Sequence, residues 1–231
     1  MSPEVIITDI TRMQLPNGAC IAAEHEGRTI RLAEPQPRDE WVASVGGLMP
    51  GDVVSLKWRP IRRPVPPHTE DAEWDPKTLV KRHRLTEDLL AEHLSTSAFA
   101  RVEDAFGAPW IRGTGGNAAF QPGTGTRSLA SVRARSVRAY PDDDGTKVDF
   151  VDAGGSWTRV PLQDLIVWQH QGQCRACSQR FAQLLAAEFQ GGEAVLRVGL
   201  AREFPIGSYP SACWMQVNHV FLVPPRRNHF V

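Results

Sequence analysis

No stretch of this sequence approaches the run of about 20 apolar residues that a membrane-spanning helix requires. Its opening, Met-Ser-Pro-Glu, lacks the basic and apolar regions of a secretory signal. The expected location is therefore the cytoplasm. Cysteine is scarce, with four at positions 20, 174, 177 and 213 of 231 residues. That is too few for a disulfide scaffold, so reduced thiols are expected. Net charge is absent as well, because 26 basic residues balance 26 acidic ones. The balance argues against a protein that coats polyanions through its overall field, so any nucleic-acid site has to be a local patch. No exact internal repeat is present.

What is plentiful is turn chemistry. Eighteen prolines and 19 glycines are scattered along the chain, which suggests many short strands joined by turns and a mainly β protein with helices, of the α+β class. Val5 to Ile10 and Ala19 to Ala23 read as a hairpin around Pro16-Asn17-Gly18, and Thr29 to Leu32 continues the meander. Glu34 to Pro50 reads as an irregular insertion, followed by a strand over Asp52 to Trp58. Pro64, Pro66 and Pro67 close that first part, since proline supplies no backbone donor to a sheet. Thr69 with Glu70, Asp71 and Glu73 then reads as a capped, acidic first helical turn.

From Thr78 to Phe106 the leucines at 85, 89, 90 and 94 follow helical spacing, with Thr86 placed as a cap. Gly107 to Arg127 is glycine-rich and reads as a loop without regular elements. Beyond it, Ala130, Val132 and Ala134 share one strand face but Val137 breaks the parity, which predicts a bulge near Arg135 or Ser136. Strands are expected over Lys147 to Val151, Ser156 to Val160, Val195 to Leu200 and Cys213 to Val223, with a short apolar run over Leu165 to Trp168 and a helix over Ser178 to Phe189. The expected organisation is two tandem OB-like small barrels, residues 1–76 and 127–231, the second carrying an inserted helix. A helical segment and glycine-rich loop, residues 77–126, bridge them.

Several groups of residues are candidates for chemistry. His68, Glu70 and Asp71 lie within four residues, as a general acid-base pair or a metal site would need, although a strand exit is the plainer explanation. Cys174 and Cys177 form a Cys-x-x-Cys with His170 four residues earlier, and a zinc ion could take these three with a distant thiol; no second local pair accompanies them. Arg112 to Asn117 could wrap phosphates but lacks the lysine and hydroxyl of a P-loop. Basic residues cluster at Arg62 and Arg63 and again at Arg133 and Arg135, the last two sharing one strand face. Trp58, Trp110, Trp157 and Trp214 are the candidates for stacking on bases, Trp214 foremost.

Thr11-Arg12, Gly18-Ala19-Cys20-Ile21-Ala22 and Thr29-Ile30-Arg31-Leu32 together resemble the opening of the dual OB-fold proteins of prokaryotic conflict and antiviral defence systems. Gly51-Asp52-Val53-Val54, Pro67-His68-Thr69-Glu70-Asp71 and Arg197-Val198-Gly199-Leu200 are similar to their middle and end. The resemblance implies tandem barrels and recognition of nucleic acid or a nucleotide-like ligand, with Arg12, Cys20 and Arg31 as matched positions. The expected function is a non-catalytic nucleic-acid or nucleotide-binding and sensing module that works beside an effector protein. Its binding residues would be Arg12, Arg31, Arg62, Arg63, Arg133, Arg135 and Trp214, with no obligatory cofactor. Two alternatives stay open: an enzyme built on the His68 turn or on a zinc at Cys174 and Cys177, and a protein-protein adaptor.

Overall fold

A computed structural model describes residues 2–13, 18–44, 47–107, 110–112, 118–143, 145–165, 167, 193–206 and 210–223. More than half of the described residues are in strands. The first unit is a closed barrel of β1 (Glu4–Arg12), β2 (Ala19–His25), β3 (Arg28–Glu34), β4 (Asp52–Pro60) and β5 (Asp71–Arg84), in the order β1-β2-β3-β5-β4. Glu26 and Gly27 both take positive φ, 49° and 74°, the backbone that a two-residue hairpin needs to match the twist of β2 and β3. In β1, Val5 and Ile7 point into the barrel. A register shift between Ile7 and Asp9 then changes the parity, so Ile10 also enters the core while Asp9 turns outward. Ile21, Ile30, Leu32, Val54, Leu56 and Trp74 fill the rest.

The capped helical turn expected after Thr69 is not there. Asp71 to Arg84 is strand β5, parallel to β3 and antiparallel to β4, so the first barrel extends past residue 76 and the segment 77–84 stays extended. Its backbone groups are claimed by the two neighbouring strands, which outweighs the N-terminal helix signal in the side chains. Helix starts instead at Thr86, as its spacing predicts, with the hydroxyl accepting from the Leu89 N–H at 3.4 Å to open α2 (Glu87–Thr96). The insertion after β3 also holds a regular element, α1 (Asp39–Ser44).

The second unit adds α3 (Val102–Ala105) and a seven-stranded sheet. The sheet contains β6 (Ile111–Arg112), β7 (Ala118–Phe120), β8 (Leu129–Asp142), β9 (Gly145–Val151), β10 (Ser156–Pro161), β11 (Glu193–Leu200) and β12 (Cys213–Leu222), in the order β10-β9-β8-β11-β12-β7-β6. The glycine-rich segment is thus not wholly irregular: β7 pairs with β12 and carries β6 at its edge. The bulge in β8 lies where the parity break puts it, with a register shift between Arg135 and Arg138 and Ser136 at φ 53°. Leu165 sits in a helical turn and buries against the first barrel's core. The expected helix over 178–189 lies outside the described residues.

The five strands β8 to β12 run in the same cyclic order as β1 to β5: third, second, first, fourth, fifth. In the first barrel the third and fifth strands close in parallel through Arg31 and Asp71. In the second unit a parallel bridge from Leu162 to Val217 makes the equivalent contact. Helix α2 covers the outer face of β11 and β12 through Leu90, Ala91, Leu94, Val195 and Phe221. Among the described residues no helix is long and apolar enough to cross a membrane.

The two units meet along a polar seam. Asp9, freed by the parity change in β1, accepts from Arg197 Nε at 2.7 Å, from Asn218 Nδ2 at 2.8 Å and from the Thr8 hydroxyl at 2.8 Å. Arg197 also donates to the Ser131 hydroxyl at 3.0 Å. Nearby, His219 bonds Asp164, whose backbone bridges Thr11. Burial opposes the charge of His219, but the Asp164 carboxylate outweighs it and raises the pKa, with Asp9 and Glu87 adding to the effect. A raised folded-state value means the contribution is complete below the unfolded value of about 6.5 and is lost as pH climbs through the folded one. The melting temperature is therefore expected to fall on the alkaline side of about pH 6.5, and His219→Gln to flatten that slope; equal slopes for both proteins would contradict the assignment.

Candidate functional site

The segment from Pro64 to Asp71 leaves β4 and docks on the second unit. Glu70 Oε1 accepts from the N–H groups of Ser128 and Leu129 at 2.5 and 2.7 Å, and Thr69 donates its hydroxyl to the Thr126 carbonyl at 2.6 Å. Burial pushes the Glu70 carboxyl up from its usual value, against the influence of Arg31 and these amides. Asp71 is shared between two guanidiniums: Arg31 Nε donates to Oδ1 at 2.6 Å and Arg202 Nη2 to Oδ2 at 2.5 Å. His68 is buried beside them, and burial, then Arg31 and Arg202, pushes it down to about 2, so the ring is neutral. Both carboxylates of this turn are spent on structural partners, and a histidine that weakly basic is a poor general base near neutrality.

Arg31 and Arg202 open onto a cavity of about 1040 Å³ between the two units. From the first barrel, the end of β1 supplies Thr11 and Arg12, β2 supplies Cys20 and β3 supplies Arg31 and Leu32. From the second unit, β9 supplies Thr146 and Lys147, the chain after β11 supplies Arg202, Glu203 and Phe204, and β12 supplies Trp214, Gln216 and Asn218. The lining thus includes four cationic side chains and the carboxylate of Glu203, with Arg31 and Arg202 already paired to Asp71. Burial raises the Cys20 thiol above its ordinary value, so it sits in the wall as a neutral group.

Of the residues singled out in the sequence, Arg12, Cys20, Arg31 and Trp214 line this one cavity, though they come from opposite ends of the chain. Trp214 forms wall: it is buried among Ala119, Ala212 and Phe204, and its indole N–H donates to the Phe204 carbonyl at 2.9 Å. Arg62 and Arg63 are exposed on the loop after β4 and are not among the lining residues. Arg133 and Arg135 are exposed on the sheet face that α2 partly covers, and Arg133 donates to the Ser95 carbonyl at 3.0 Å. Neither is among the residues that line the cavity. His170, Cys174 and Cys177 lie outside the described residues, and among the described residues no three His, Cys, Asp or Glu side chains form a metal-binding group.

No family model, curated protein or solved structure matches this chain. The site therefore rests on its own geometry. Lys147, Arg202 and Phe204 escaped the sequence reading. The available signal was the Arg202-Glu203-Phe204 run directly after an apolar strand, where a sheet ends and its loops gather.

Proposed function

We propose that this chain is a non-catalytic binding module of two OB-like barrels that takes a nucleotide or a nucleic-acid strand into the cavity between them, acting as a sensor beside an effector protein. The observation that carries the proposal is the cavity itself, walled by Arg12, Arg31, Lys147 and Arg202. At about 1040 Å³ it matches the upper end of small-molecule sites, roughly 300–1,000 Å³. Cations held between low-dielectric walls attract an anionic ligand more strongly than the same charges on an open face.

The shared cyclic strand order of the two units supports the tandem-barrel reading, as does α1 between the third and fourth strands of the first. The likeness of the sequence to dual OB-fold proteins of prokaryotic defence systems points the same way. Fluorescence polarisation with labelled single-stranded DNA, RNA and nucleotides tests it. Binding is expected at low salt and should weaken as salt rises, because phosphate contacts displace counterions. Arg12→Ala should weaken it. If none of the three probes binds at low salt, the proposal fails.

A further inference from the structure

Resting on that reading, we infer that Gln163 and Gln216 form a subsite that reads the hydrogen-bonding edge of a nucleobase. The cations of the cavity wall are already engaged: Asp71 pairs with Arg31 and Arg202, and Arg12 and Lys147 have interactions of their own. The two glutamines keep capacity to spare. Among the described residues the Gln163 side chain has no hydrogen-bond partner, and Gln216 has one, through Nε2. Both residues are half-buried and line the cavity, so their unused amide atoms are offered to its interior.

The seam between the units fixes where these amides stand. The Gln163 N–H donates to the Val217 carbonyl at 2.9 Å and its carbonyl accepts from the Arg12 N–H at 3.0 Å, so a pinned backbone carries a free side chain. Leu162 and Val217 form a parallel bridge and turn into the core, which sets Gln163 on the opposite face beside Asn218, with Gln216 one pleat away. Strand spacing and rise put the Cα atoms of the two glutamines about 8 Å apart, close enough for both to meet one ligand. The Gln216 amide is oriented as well. The Asp9 carboxylate only accepts, so Asn218 turns Nδ2 toward it at 2.8 Å and leaves Oδ1 for Gln216 Nε2 at 2.9 Å. Gln216 therefore holds out its carbonyl oxygen and its second N–H.

An acceptor beside a donor complements the edge of a base, where an amino or ring N–H lies next to a ring nitrogen or a carbonyl. A phosphate oxygen, which only accepts, would leave the glutamine carbonyl unmatched. Trp214 stands two residues from Gln216 on the same face of β12, and Phe204 packs against it. That apolar wall beside the amides suits the flat face of a heteroaromatic ring better than a sugar with hydroxyls all round.

Calorimetric titration of the full chain at low salt tests this with probes that differ in the base alone: the four ribonucleoside monophosphates against ribose 5-phosphate, and a DNA strand against one of equal length built of abasic units. The best-bound nucleotide, the DNA strand or both are expected to bind at least about tenfold more tightly than the base-less counterpart. Gln163→Met breaks no side-chain hydrogen bond among the described residues, so it should narrow that gap about fivefold with the melting temperature unchanged. Gln216→Met should narrow it similarly while lowering the melting temperature, because Asn218 loses a donor. A gap confined to the mononucleotides assigns the subsite to a free nucleotide, and one confined to the strands assigns it to nucleic acid; both support it. Equal affinity for base-bearing and base-less probes, or a gap that either substitution leaves unchanged, overturns the subsite while sparing the wider proposal. Silence from every probe removes both.

Discussion

Asp9→Ala is expected to destabilise the protein by about 3–5 kcal/mol, because it leaves the Arg197 guanidinium buried without its counter-charge. Arg197 and Asp9 side chains are 3 % and 1 % exposed, so water cannot replace the lost carboxylate. For a chain of this length the loss corresponds to a melting temperature lower by on the order of 10 °C. Asn218 and Thr8 lose an acceptor at the same time. Replacing both charges, as in Asp9→Leu with Arg197→Met, should recover much of the cost, since an apolar pair carries no desolvation penalty. Denaturant unfolding of the three proteins decides it; a single variant that loses less than about 1 kcal/mol would mean that the pair is effectively solvated.

Gly199→Ala should cost about 1–3 kcal/mol by overpacking. A methyl group there would stand 2.8 Å from both Nδ2 and Oδ1 of Asn218. Asn218 has nowhere to retreat: Nδ2 donates to Asp9 at 2.8 Å and Oδ1 accepts from Gln216 at 2.9 Å. The alanine therefore acts on the Asp9 network without touching Asp9. Combining it with Asn218→Ala should cost less than the two changes taken separately, because the second removes the atoms that the first strikes. Strict additivity in the unfolding energies would refute the clash.

These two positions show what the sequence could and could not convey. The bulge in β8 was legible because Val137 alone breaks a run of Ala130, Val132 and Ala134, a local signal in a period of two. The start of α2 was legible for the same kind of reason, a threonine directly before a helical spacing of leucines. Glu70 and Asp71 misled because acids after a threonine look alike whether they face a helix dipole or a distant partner. Their true partners, Ser128 and Arg202, lie 58 and 131 residues away in the chain. Arg12, Arg31 and Trp214 could each be named from sequence, but nothing in their spacing told that Arg12 and Arg31 share a cavity with Trp214. Arg133 and Arg135, chosen for their strand geometry, lie on the sheet face where α2 docks, a packing that depends on Val195 and Phe221 from late in the chain.

The Asp9 network also bears on the order in which the molecule assembles. Asp9 reaches Arg197 across 188 residues and Asn218 across 209, so it closes the longest loops and has to wait for hairpins such as β1-β2-β3 and β8-β9-β10. During synthesis the acid in β1 emerges 188 residues before its counter-ion in β11. Until β11 and β12 leave the ribosome, the first barrel shows water the face that it later seals. Expressed alone, the first barrel would keep Asp9 hydrated on that open face, an exposed charge that discourages pairing with the wrong partner before the right one has been made.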